Sequence, residues 1–190
     1  RIYHPNDGMK LGLPGMIDDA VARIRAARDA RPASLPSDAH PDLIQAWALS
    51  DIEARRKTPD TKNKGAPTLG LTGTGGAGKS SLTDELVLRF ATEFPDKRFA
   101  VLAIDPTRRR TGGALLGDRI RINSLRLPNV YFRSMATRRQ HLSTSEVLQD
   151  AIAELSHQGF DLVFVETAGI GQSDSAIVDL VDLPGYVMTP

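Results

Sequence analysis

The stretch Gly70-Leu-Thr-Gly-Thr-Gly-Gly-Ala-Gly-Lys-Ser-Ser81 decides how this chain is read. An apolar run leads into four glycines within Gly73–Gly78, then one lysine and two serines. Gly73 to Ser80 fits G-x-x-x-x-G-K-[ST] without adjustment. Glycines let consecutive backbone N–H groups turn inward and approach phosphate oxygens closely. The helix that follows presents its N-terminus to the same charge. Lys79 supplies a cation to the β and γ phosphates, Ser80 offers a hydroxyl to Mg²⁺, and Ser81 reaches an α-phosphate oxygen.

Working outward, short apolar runs alternate with helical patterns. Strands are expected at 68–72, 98–104, 130–133, 161–165 and 185–188, and helices at 79–94 and 146–157, the latter opened by the capping-box spacing Ser143-Thr144-Ser145-Glu146. Strands alternating with helices predict an α/β fold, a P-loop NTPase with a mostly parallel sheet flanked by helices. Leu162–Val165 shows no alternation, which suits a strand buried on both faces. Upstream, His4–Gly8 carries turn chemistry. Ile17, Val21 and Ile24 form an amphipathic stripe. Three prolines in residues 31–41 read as a linker. A second helix is expected over 42–57 with Ile44, Trp47 and Ala48 on one face, and Thr58–Pro67 is a polar break.

Composition narrows the function. The chain has 190 residues, 41% hydrophobic and 25% charged, which suits a globular domain. A net charge of +1 demands neither nucleic acid nor an anionic membrane. Cysteine is absent, so no disulfide framework or thiolate metal site exists. No apolar run reaches the roughly 18 residues of a membrane span, and a cytoplasmic protein is the default. The chain begins on Arg1 and stops at "GYVMTP", inside a strand pattern, so a piece of a longer polypeptide is expected.

Mg²⁺ takes hard oxygen ligands and keeps several waters. Asp105 ends an expected strand, Asp118 lies in the glycine-rich stretch after it, and Glu166 ends "DLVFVE". Strand C-termini line the ligand crevice of an open α/β sheet. Glu166-Thr167-Ala168-Gly169 reads like the D-x-x-G of nucleotide switches with Glu for Asp, and Gly169 would offer its N–H to a γ-phosphate. Arg121 follows Asp118 by three residues and could reach a phosphate. Gln172 could orient water and the arginines at 108–110 could contact a phosphate or a partner, though each, like Arg138-Arg139, reads more simply as a solvated loop residue. The four histidines share no metal spacing.

"VLAIDPTRRRTGGALLGDRIRIN" and "VFVETAGIGQSDSAIVDLVD" together resemble the MeaB/ArgK family of GTPases, G-protein chaperones of adenosylcobalamin-dependent acyl-CoA mutases. The resemblance covers 67–190, and "DPTRRR" and "GKSS" look most like the form fused within an isobutyryl-CoA mutase. It implies that residues 67–190 are the N-terminal part of a GTPase domain, 31–66 a helical linker, and 1–30 the remnant of a cobalamin-binding domain. It implies that Gly75, Gly76, Ala77, Gly78, Lys79, Ser80, Ser81, Arg121 and Gly169 hold GTP or GDP. Ser80, Asp105, Asp118, Glu166 and Thr167 would surround Mg²⁺, and Lys79 and Glu166 would be catalytic. Guanine preference rests on the resemblance, because no Asn-Lys-x-Asp motif follows the P-loop here.

The implied partners are the cobalamin-binding and substrate domains of the same polypeptide, with a homodimer expected in the parent, no nucleic acid and no membrane. The cofactor adenosylcobalamin would belong to the parent isomerase, since the Asp-x-His-x-x-Gly pattern is absent from this chain. Hydrolysis would gate cofactor delivery and protection. Two alternatives remain: a nickel-metallochaperone-like NTPase, and an interaction module that binds nucleotide without turnover.

Overall fold

Side chains that alternate between two helical layers set the core. The computed structural model describes residues 5–29, 34–59, 61, 65–106, 122–137, 142–167 and 177–189. The chain forms two compact units, Arg1–Ala39 and His40–Pro190.

In the first unit, helix α1 (Pro5–Asp29) is broken at Gly12, whose φ of 62° and ψ of 171° are non-helical. Pro14 follows, and its ring and missing N–H cannot continue the preceding turn. The turn expected at His4–Gly8 is corrected from Pro5 onward, where the backbone is helical. Pro5 opens the helix with its φ already set, and Asp7 complements the dipole in the first turn. The stripe Ile17, Val21 and Ile24 is present and exposed.

The second unit runs α2 (Pro41–Glu53), β1 (Thr68–Gly73), α3 (Lys79–Glu93), β2 (Phe99–Pro106), a 3₁₀ turn (Ser124–Arg126), β3 (Val130–Thr137), α4 (Leu142–His157), β4 (Leu162–Glu166) and β5 (Leu183–Val187). The strand order is β3-β2-β4-β1-β5, and all pairings are parallel. All five expected strands form. Helix α4 begins at Leu142, so the capping-box serines fall inside its first turn rather than before it.

Ala100, Leu102, Val163 and Val165 face one layer, with Leu49 of α2 and Leu155 of α4. Phe99, Val101 and Phe164 face the other, with Val87 and Ala91 of α3. Val163, Phe164 and Val165 are all fully buried, as the unbroken apolar run of β4 anticipates.

Helix α2 corrects one expectation. Its buried face is Gln45, Leu49 and Ile52, while Ile44 is half exposed. Two apolar stripes lie about one residue apart on this helix, and contact with α4 selects the second. Ion pairs fasten the periphery: Arg55 to Glu146 (3.2 Å), Arg133 to Glu53 (2.9 Å) and Lys57 to Glu154 (2.6 Å). The Glu154 side chain is wholly buried, so this last pair differs from a surface bridge.

Lys57→Met should therefore destabilise the protein by about 2 kcal/mol, less than for a fully buried pair because Lys57 reaches solvent. Lys57→Met/Glu154→Gln should recover at least half of that loss in denaturant unfolding. A neutral single substitution would show that the pair adds nothing.

Candidate functional site

Register brings three strand ends together. Glu166 of β4 stands level with Leu71 of β1 on one side and Ala103 of β2 on the other. The turn after β1 and the Glu166 carboxylate thus share the C-terminal edge of the sheet, where open α/β sheets bind ligands.

The turn itself needs bare backbone. Gly73 has φ 141°, and a Cβ there would sit 2.1 Å from the Val187 carbonyl oxygen of β5. Gly76 and Gly78 have φ of 81° and 86°, a region disfavoured for other residues. Gly78 caps α3 without a side chain, and the first turn holds no acidic residue. The positive end of the helix is left to an external anion.

Lys79 is buried, and its Nζ donates to the carbonyls of Gly73 (3.0 Å) and Thr74 (2.9 Å). The Ser80 hydroxyl donates to Glu166 Oε1 at 2.5 Å. Thr167 is tied to β1, its N–H donating to Leu71 O (3.1 Å) and its hydroxyl to Thr72 Oγ1 (3.2 Å). A cleft of about 620 Å³ opens here, walled by Gly75, Gly76 and Gly78 to Ser81 on one side, and by Ala103, Ile104, Glu166 and Thr167 on another. Ala77 lies in the same turn, its N–H donating to Thr74 O at 3.2 Å.

The structure therefore brings Gly75, Gly76, Gly78, Lys79, Ser80, Ser81, Glu166 and Thr167 to one cleft. Asp105 is placed by its backbone at the end of β2, opposite Ala136 of β3. Asp118, Arg121, Gly169 and Gln172 lie outside the described residues.

The donor set suits a hard divalent cation. Ser80 and Glu166 bring two oxygens into contact at the cleft floor. Among the described residues, no group of three His, Cys, Asp or Glu could hold a metal by itself. Mg²⁺ binds through few protein ligands and completes its shell with water and phosphate.

The motif reading missed Asp84 and the Ile122–Asn123 wall, which also line the cleft. Asp84 sits four residues after Ser80, one turn along the same helix face, and that spacing was the available signal. Burial pushes the Asp84 carboxyl up, but hydrogen bonds from Asn123 and Ser124 outweigh it and hold it below the ordinary carboxylate value.

With this geometry in place, kinship can be judged. Residues 55–190 match the family described as methylmalonyl Co-A mutase-associated GTPase MeaB. The chain belongs to the MeaB family of GTPases. A fused isobutyryl-CoA mutase of Geobacillus kaustophilus is 45% identical across 100% of this chain and 19% of its own length. One from Cupriavidus metallidurans is 48% identical across 100% of this chain and 18% of its own. A Pyrococcus abyssi protein named as a GTPase is 39% identical over 92% of this chain and 52% of its length. The chain thus spans about a fifth of the fused mutases it matches. No helix among the described residues is long and apolar enough to cross a membrane.

The lowered Asp84 pKa has a definite sign. A carboxyl held below its unfolded value stabilises the fold fully above that value, 3.8, and the stabilisation is lost as pH falls through the folded pKa. A carbon-detected NMR titration should show Asp84 titrating below 3.8, and Asp84→Asn should unfold less steeply with acid. Titration at or above 3.8 would contradict the assigned hydrogen bonds.

Proposed function

We propose that this MeaB-family domain binds Mg·GTP in the cleft beside Gly75–Ser81 and hydrolyses it as the switch module of a fused acyl-CoA mutase. The observation that carries the reading is the convergence of Lys79, the Ser80–Glu166 pair and the uncapped N-terminus of α3 on one cleft. Each element meets a different part of a nucleoside triphosphate. The turn amides and the helix end take phosphate oxygens. Lys79 exchanges two loop carbonyls for β and γ phosphate oxygens, which compete well for an ammonium.

Ser80 and Glu166 would hold Mg²⁺, with Asp105 and Asp118 contributing from the neighbouring loop and Thr167 alongside. The ion would supply charge neutralisation at the phosphates. The protein's share is positioning, with water as nucleophile. In this reading Glu166 would act beside the phosphates as the second catalytic residue, after Lys79.

The fused relatives support a mutase parent, and the family name supports an association with such enzymes. In this reading, hydrolysis gates delivery and protection of adenosylcobalamin. That cofactor is held elsewhere in the parent.

Calorimetric titration of the full-length protein with non-hydrolysable GTP and ATP analogues and Mg²⁺ tests this. Guanine should be preferred. Lys79→Ala should weaken binding at least about tenfold, as loss of a charge-assisted bond worth about 1.5–3 kcal/mol requires. Ser80→Ala should remove most of the Mg²⁺ dependence. Equal binding by Lys79→Ala would overturn the assignment.

A further inference from the structure

One wall of the cleft is fastened by a side chain that the phosphate motif does not include. The Asp84 carboxylate receives three N–H donors. Its Oδ1 accepts from the Ser124 backbone (2.8 Å), and its Oδ2 accepts from the Asn123 backbone (2.9 Å) and from Asn123 Nδ2 (3.1 Å). Asn123 is the N-cap of the 3₁₀ turn and makes no side-chain cap of its own. The amides at the head of that turn, which have no partner within it, are satisfied from α3 instead.

The consequence is mechanical. Helix α3 carries Lys79 and Ser80 in its first turn, and Asp84 on its second turn grips residues 122–124. Ile122 and Asn123 form part of the cleft lining, and Ile122 is also buried in the core layer containing Val87, Phe132 and Phe164. The wall is thus pinned to the core by Ile122 and to the phosphate helix by Asp84. A carboxylate with several N–H donors holds geometry better than a neutral acceptor, because charge-assisted bonds are shorter and stronger.

We propose that Asp84 is a positioning residue that fixes the Ile122–Asn123 wall of the cleft against α3 and so sets affinity for the bound nucleotide rather than the rate of its hydrolysis. The three bonds to Asp84 all come from Asn123 and Ser124, on a different wall from the Ser80–Glu166 pair. In this proposal the wall contacts the nucleotide alike in substrate and transition state. Loss of such uniform binding raises KM and leaves kcat alone. The inference rests on the nucleotide reading above.

The test is steady-state GTP hydrolysis by the full-length protein and by Asp84→Ala, Asp84→Asn and Asp84→Asn/Asn123→Asp. Asp84→Ala should raise KM about tenfold with kcat within about twofold, since three hydrogen bonds to one charge are lost. Asp84→Asn should also raise KM, because its amide group meets an N–H donor. The double variant repairs only the side-chain pair and leaves the amide of residue 84 against one backbone N–H, so its KM should fall between that of Asp84→Asn and that of the parent. A merely structural role would lower the unfolding midpoint without this split or this rescue. A parental KM in Asp84→Ala, or a fall in kcat alone, would overturn the inference. Absence of GTP binding by the parent protein would instead defeat the nucleotide reading itself.

Discussion

The passage from β1 into α3 leaves no room for a side chain at Gly73. A Cβ would lie against the Val187 carbonyl of the neighbouring strand, and the backbone there has a positive φ. This close approach lets β1 end beside β5 and turn at once into the loop that heads α3. Everything in the cleft depends on that tight turn. It aims Lys79 back over the loop carbonyls and sets Ser80 against Glu166 on the adjacent strand.

The sheet then serves as the ruler. Parallel pairing places Glu166 level with Leu71 and Ala103, so two chain segments far apart in sequence meet at one edge. Burial of β4 on both faces fixes this register, since a one-residue slip would exchange Phe164 with Val163 and Val165 between the two layers. The segment before β5 reinforces the arrangement. Asp182 accepts from both the backbone and the hydroxyl of Thr68 at the start of β1 (2.8 Å each), and Gly70 leaves space for Val181 against that strand. The rigid sheet fixes the phosphate loop and the carboxylate, and the surrounding segments complete the cleft.

Much of this was legible in the chain itself. The glycine-lysine-serine stretch, the five apolar runs and the acidic end of β4 all depend on local residue patterns. Other features were set by tertiary contact. The buried face of α2 could not be chosen from sequence, because Ile44 and Leu49 lie on competing stripes and only packing against α4 decides between them. Turn residues at His4–Gly8 misled for a related reason, since proline and aspartate favour a helix start as readily as a turn. Asp84 was passed over because its partners, Asn123 and Ser124, are some 40 residues away and belong to no motif. Long-range pairs of that kind are written in the fold rather than in local spacing.

The central claim is that the Gly75–Ser81 turn is a phosphate site whose lysine and serine exchange protein partners for a bound nucleotide. A diffraction structure of the full-length protein with Mg²⁺ and a non-hydrolysable GTP analogue tests it most directly. The account predicts β and γ phosphates against the turn amides, Lys79 Nζ moved from the Gly73 and Thr74 carbonyls onto phosphate oxygens, and Mg²⁺ beside Ser80. Nucleotide bound elsewhere, or Lys79 still on those carbonyls with the phosphates in place, would contradict it.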